Sequence, residues 1–378
     1  MLNKNTVLFF TETDQTAVAD AVRAEFPTDG SVVSVVIEKR EVENALFNAV
    51  FDKVVGKTSK TRFFLEERYA AKNALRRDGK KKEQMPVVFD RNNSVHRRIL
   101  NVLNRYNPTV VAVTARTMLN DVIAATEHYG HGVKIAVLCE DYVLDDRVVN
   151  KVTDKYFVDN FSMRNELVEE GIPGEKIVVA DMPVERQFYT QGSKEDARKK
   201  LGLDQKDTLL VVASKRGDER FVSVIKAIRE SDLDVNVVVA CGKNPVFLNQ
   251  AREAGAVVFS DTLDMNVALD ACDAVVARPT VIVLSQALAK QKRVFSLFPA
   301  NRSEEENLKY LSLMTVLSVA DTEELVRKLQ AFYAATEDPS ATEEERDLYS
   351  ARTVAAQLAK LGKKDTLRFD DEPTSPRA

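Results

Sequence analysis

Cysteine and histidine are scarce, three of each in 378 residues. Cys139, Cys241 and Cys272 include no Cys-x-x-Cys pair, and His96, His128 and His131 do not take metalloprotease spacing. No zinc site is expected, and thiols at the ends of apolar segments read as buried and inert. Long apolar runs are also missing. Nothing approaches the run of about 18 residues that spans a bilayer, so an integral membrane protein is not expected. Met1-Leu2-Asn3-Lys4-Asn5 leads into a strand rather than a hydrophobic signal region, which gives no indication of export and an expected cytosolic location. What is present is an ordinary soluble composition, 44% apolar and 30% charged with a net charge of −4. The length exceeds one ordinary core, and two domains are expected.

Strands and helices alternate through both halves. Residues 235–240 form a β-branched run ending at Cys241-Gly242-Lys243-Asn244-Pro245, where Pro245 is placed to open a helix. A strand over 256–259, a helix over 264–271, a strand over 273–277 and a helix over 281–291 follow. Upstream, strands are predicted over 6–10, 32–37, 110–114, 133–138 and 154–158, with helices over 92–106, to about 129, and over 163–170. Asp14 is placed to cap the helix that carries Val18, Val22 and Phe26, and Asn107-Pro108 stops the helix that begins near 92. Strands separated by helices require parallel sheets covered on both faces. The fold class is α/β with two Rossmann-like domains facing across a cleft, over 1–185 and 186–345. A low-apolar segment at 190–200 leads to a strand over 208–213. Closing helices are expected over 322–335 and 343–361, the closing segment spanning 346–364, with a disordered polar tail over 365–378.

The first domain carries a basic insert. Between residues 53 and 82 there are eleven Lys or Arg against three acids. As a helix, this segment sets Phe63 and Phe64 on an apolar face beside an arc holding Arg68, Lys72 and Arg76. That is the pattern of an interfacial helix on an anionic membrane, and equally of a helix packed on its own sheet with a solvated basic flank. No nucleic-acid recognition motif accompanies the charge.

Five short blocks carry a family resemblance. In order they are Gly242-Lys243-Asn244; Thr262-Leu263-Asp264-Met265; Cys272 through Arg278-Pro279; Gln286-Ala287-Leu288-Ala289; and Pro299 through Glu304-Glu305-Glu306-Asn307. The chain resembles the GT-B glycosyltransferases, in particular the monogalactosyl- and glucosyl-diacylglycerol synthases and the peptidoglycan-precursor N-acetylglucosaminyltransferase. In the first half Asp141-Tyr142, just past a strand's carboxyl end, is similar to the family's Thr-Asp-Tyr block. The resemblance implies a donor site in which Gln286 meets the ribose and Glu304 and Asn307 meet the hexose. Arg278, the helix start at Thr280 and the turn with Lys215, Arg216 and Gly217 would lie near the diphosphate, and Gly242 and Asn244 belong to the same donor-binding set. Asp14 or Asp141 is the candidate base. The implied reaction is hexose transfer from a nucleotide sugar, a UDP-sugar as substrate, to a lipid or membrane-surface acceptor, with no cofactor and no metal.

Several of the family's working residues are replaced. Arg278-Pro279-Thr280-Val281 stands where the family has Lys-Pro-Gly-Gly, and side chains at 280 and 281 are expected to crowd the diphosphate. The first turn, Thr11 through Thr16, has neither the glycines nor the histidine, and only Gly217 remains in the turn after residue 213. Those losses motivate a second reading, a catalytically inactive GT-B protein kept for binding or scaffolding. A sugar-nucleotide epimerase is a third.

Overall fold

A computed structural model describes residues 5–11, 16–36, 88–114, 116–213, 217–242, 244–259, 263–299, 302–312, 316–335 and 350–363. The basic segment 53–82, the turn carrying Asp14 and the tail 365–378 lie outside the described residues.

The described strands form two parallel six-stranded sheets. The first contains β1 (Asn5–Thr11), β2 (Gly30–Val36), β3 (Val110–Val113), β4 (Lys134–Leu138), β5 (Lys155–Val158) and β6 (Ile177–Val179), ordered β2-β1-β3-β4-β5-β6. The second contains β7 (Thr208–Val212), β8 (Asn236–Ala240), β9 (Val257–Phe259), β10 (Ala274–Ala277), β11 (Arg293–Ser296) and β12 (Leu317–Ser318), ordered β12-β11-β10-β7-β8-β9. The strand order reverses direction between β1 and β3 and between β7 and β10, the switch points at which open α/β sheets hold ligands. Central strands are apolar on both faces. Val7, Leu8, Phe9 and Phe10 of β1 are all fully buried, as a sheet sandwiched between helices requires.

The helices are α1 (Thr16–Glu25), α2 (Ser94–Tyr106), α3 (Leu119–Tyr129), α4 (Phe161–Glu169), α5 (Lys194–Lys200), α6 (Arg220–Glu230), α7 (Pro245–Glu253), α8 (Met265–Ala271), α9 (Val281–Ala289), α10 (Arg302–Ser312), α11 (Thr322–Ala334) and α12 (Ser350–Leu361). Short polar residues start many of them. Asn93, Asn160, Ser193, Asn244, Asp264 and Asp321 each accept a backbone N–H of the first turn, satisfying donors that the helix leaves unpaired. Asn107 ends α2 in the left-handed region at φ 42°, and its N–H donates to the Leu103 carbonyl.

Several elements are absent from the sequence reading, among them α5, β6, α6, β11, α10 and β12. The low-apolar stretch is in part the helix α5, held by its Ser193 cap and by Arg198, which is buried and donates to the Ala271 carbonyl and to Asp273 Oδ2 at 2.7 Å. β11 and α10 were not anticipated, because a four-residue strand followed by a helix rich in Glu gives little periodic signal.

The connection between the sheets runs through buried Met182, Val184 and Phe188, which join one apolar cluster drawing on both sheets. It is fastened at Lys290, whose fully buried Nζ lies 2.7 Å from Asp270 Oδ1 and also donates to the Thr190 carbonyl. The Gly192 N–H donates to the same Asp270 oxygen at 3.0 Å. The last helix, α12, packs on α1 and β1 of the first sheet, and Asn5 Nδ2 donates to the Ala359 carbonyl at 2.8 Å.

Candidate functional site

The candidate site stands where the carboxyl ends of the two sheets meet. β10 delivers Arg278 at its end, and Pro279-Thr280 turns the chain into α9, the Thr280 N–H donating back to the Arg278 carbonyl at 2.7 Å. β11 leads through Phe298, held at φ 58°, to α10, which presents Glu304 in its first turn. The two side chains pair in a fork. Arg278 Nε donates to Glu304 Oε2 at 3.1 Å, and Nη2 pairs with Oε1. Both are largely buried, with side-chain exposures of 17% and 10%. A bidentate guanidinium–carboxylate contact of this kind is among the stronger and more directional polar interactions.

One turn on from Glu304, Asn307 reaches across to the first domain. Its Oδ1 accepts the Tyr142 N–H at 3.0 Å and its Nδ2 donates to Asp141 Oδ1 at 2.9 Å. Asp141 and Tyr142 follow β4, so a helix of the second domain directly holds the loop that carries a candidate base. Tyr142 is held further by its hydroxyl, 2.9 Å from Ser285 Oγ on α9, by its carbonyl, which accepts Asn160 Nδ2 at 2.8 Å, and by stacking on Tyr310 at 5.6 Å.

The remaining residues take separate places. Gln286 is half-buried on α9, next to Ser285. Thr280 is the residue before α9 and makes no side-chain cap, which leaves the first amides of that helix turned toward the Arg278 end of the sheet. Val281 is buried in the apolar cluster shared by the two sheets. Asn244 caps α7, accepting Val246 N at 3.1 Å and Phe247 N at 3.3 Å, and Gly242 is buried in the turn before it. Gly217 packs against Phe247 at φ 68°. Next to it, buried Asp218 pairs with Arg220, which also donates to the Phe298 carbonyl at 3.1 Å and lies 4.9 Å over the Phe298 ring. The turns after β7 and β11 are thereby fastened together. Lys215, Arg216, Asp14, Phe63, Phe64, Arg68, Lys72 and Arg76 lie outside the described residues.

Ser285, Tyr310 and Asn160 were not singled out from the sequence. Tyr310 had a signal, since it stands three residues after Asn307 and so on the same face of one helix. Ser285 and Asn160 had none, because their partner lies in a distant part of the chain.

Among the described residues no group of three or more His, Cys, Asp or Glu side chains could hold a metal ion. Cys139, Cys241 and Cys272 are buried, and burial pushes the thiols of Cys241 and Cys272 up to about 11 and about 12. No described helix is long and apolar enough to cross a membrane.

No family model matches the chain. Among curated proteins it is similar to the processive diacylglycerol beta-glucosyltransferase of Staphylococcus carnosus, 26% identical over 251 residues, which are 65% of this chain and 63% of that protein. To the same-named protein of Staphylococcus aureus strain JH9 it is 22% identical over 276 residues, 70% of each. The chain thus spans less than two thirds of the Staphylococcus carnosus relative. Among solved structures it superposes on Staphylococcus aureus MnaA with UDP, with a TM-score of 0.61 and 13% identity over 94% of this chain and 96% of that one. For Acinetobacter baumannii MurG the TM-score is 0.56, with 11% identity over 94% and 99%. For the UDP-GlcNAc 2-epimerase of Neisseria meningitidis the TM-score is 0.58, with 12% identity over 94% and 99%. The fold is GT-B, two Rossmann-like domains.

Proposed function

We propose that this GT-B chain, similar in sequence to diacylglycerol glucosyltransferases, transfers a hexose from a nucleotide sugar to a lipid acceptor at a membrane surface. The observation that carries the reading is the Arg278–Glu304 fork at the meeting point of the sheets, one helical turn from the contact between Asn307 and Asp141. A guanidinium suited to a diphosphate and a carboxylate suited to sugar hydroxyls are held together there, within reach of a second carboxylate on the opposite domain.

In this reading the donor exchanges with the fork. The diphosphate takes the Arg278 guanidinium together with the amides at the start of α9, and the hexose hydroxyls take Glu304. Gln286 receives the ribose. Departure of the nucleoside diphosphate leaves negative charge on its terminal oxygen, which Arg278 and the helix start stabilise more strongly in the transition state than in the bound donor. Asp141 accepts the proton of the acceptor hydroxyl as that oxygen attacks the anomeric carbon. A UDP-sugar is the donor proposed, on the strength of the named relatives, and no cofactor takes part. The same relatives support an acceptor of the diacylglycerol class. The basic insert over 53–82 would meet anionic headgroups around it.

The test is transfer of radiolabelled glucose from UDP-glucose to diacylglycerol in mixed anionic vesicles. A labelled glycolipid that is lost in Arg278→Ala and reduced in Asp141→Asn supports the reading. Binding of UDP-sugars without transfer would favour the scaffold, and interconversion of UDP-GlcNAc with its 2-epimer would favour an epimerase.

A further inference from the structure

We infer that Asn307 is a positioning residue, an interdomain latch that sets Asp141 against the donor side by holding the two domains closed. Its role as a latch stands on the hydrogen bonds alone, and the role given to Asp141 rests on the transfer reading above.

The side-chain amide is used at both ends, and in opposite senses. Nδ2 donates to the Asp141 carboxylate at 2.9 Å while Oδ1 accepts the Tyr142 N–H at 3.0 Å. Asparagine alone among the short side chains offers a donor and an acceptor in one rigid plane. The residue is 1% exposed, and Tyr142 and Ser285 are 2% and 3% exposed. The contact with the Tyr142 N–H is therefore buried, where an unmade hydrogen bond is costly, and the contact with Asp141 is part-buried. Asn307 is thus directed to the facing domain and not to a sugar hydroxyl. Glu304 faces Arg278 one turn earlier on the same helix, so a displacement of α10 by a donor at Glu304 is carried through Asn307 to Asp141. The Tyr142 hydroxyl on Ser285 and its ring on Tyr310 give the latch two further points on the second domain.

Replacing the amide by a carboxyl removes the donor at neutral pH and sets two carboxylates face to face, whereas protonation restores one donor and one acceptor. Charged groups near position 307 among the described residues include Glu304 with its partner Arg278, Glu305, Glu306 and Lys309 on the same helix, and Glu140 beside Asp141 on the facing loop. The experiment is a distance measurement between spin labels on cysteines introduced at Val152 and Val246, exposed positions in the first and second domains. The native thiols are buried, and labelling of the unmutated parent checks that they take up no label. The parent should show one narrow distribution, the same at about pH 8 and about pH 5, the lower pH favouring a proton shared between two carboxyls held face to face. Asn307→Ala should shift the distribution to longer distances at both pH values. Asn307→Asp should be long at the higher pH and return toward the parent at the lower. Tyr142→Phe, the mildest change, should broaden the distribution without moving its mean as far. Distances in Asn307→Ala and Asn307→Asp that match the parent at both pH values would overturn the latch. The measurement uses no substrate, so failure of the transfer reading would appear in the vesicle assay while these distances still decided the latch.

Discussion

At the scale of the residue, Gly217 and Asn307 are both tightly constrained. Gly217 sits at φ 68°, and a Cβ there would fall 2.5 Å from Phe247 Cγ. Gly217→Ala should cost about 2 kcal/mol or more, combining left-handed strain of about 1–2 kcal/mol with overpacking. The loss would read as a lower urea midpoint with unchanged slope. The buried thiols give a second check. Native protein near neutral pH should leave all three cysteines unreacted with a thiol reagent, and denatured protein should react at all three. How far single residues could be read from sequence depended on whether their role is local. Asn107 could be read as a helix stop because its conformation depends on its neighbours. Asn244 was placed in the donor site by resemblance, yet its side chain caps α7, a role the following Pro245 already suggested. Asn307 was marked by its block, but its partner Tyr142 is 165 residues away, and no local pattern encodes such a pairing.

Among the elements, the connection between the sheets is stabilised by charge in places where apolar residues would ordinarily serve. Lys290→Met leaves the Asp270 carboxylate buried beside the Gly192 N–H, and should cost about 3–5 kcal/mol in chemical denaturation. Replacing both partners by apolar residues should recover much of that loss. Glu185, in the same connection, has its carboxyl raised above the usual range, first by burial and then by Asp20 and Asp264. A raised folded-state pKa means a contribution that is present below the unfolded pKa and lost as pH rises through the folded one. Glu185→Gln should therefore raise the melting temperature near neutral pH and make little difference near pH 4, about the unfolded carboxyl value. The alternation of strands and helices was legible, since β-branched runs and polar caps act locally. α5 escaped notice because its fixing contact, Arg198 with Asp273, lies outside its own sequence. β11 escaped because Arg293 through Ser296 is too short to show a period.

In the whole molecule, two parallel sheets meet at their carboxyl ends and are tied by α12 returning to the first sheet and by the Asn307–Asp141–Tyr142 contacts. The two-domain architecture could be read because each half alternates on its own. The contact between the halves could not, since it depends on side chains brought together only after both have folded. The proposed donor subsite is Arg278 with Glu304. The most direct measurement is calorimetric titration of UDP-glucose into the parent, Glu304→Ala and Gln286→Ala. The parent should bind at submillimolar ligand. Removing the charged partner should weaken binding by about 1.5–3 kcal/mol, roughly ten- to a hundredfold, and removing the neutral one by about 0.5–1.5 kcal/mol. No binding by the parent at millimolar ligand, or a Glu304→Ala variant that binds as the parent does, would contradict the claim.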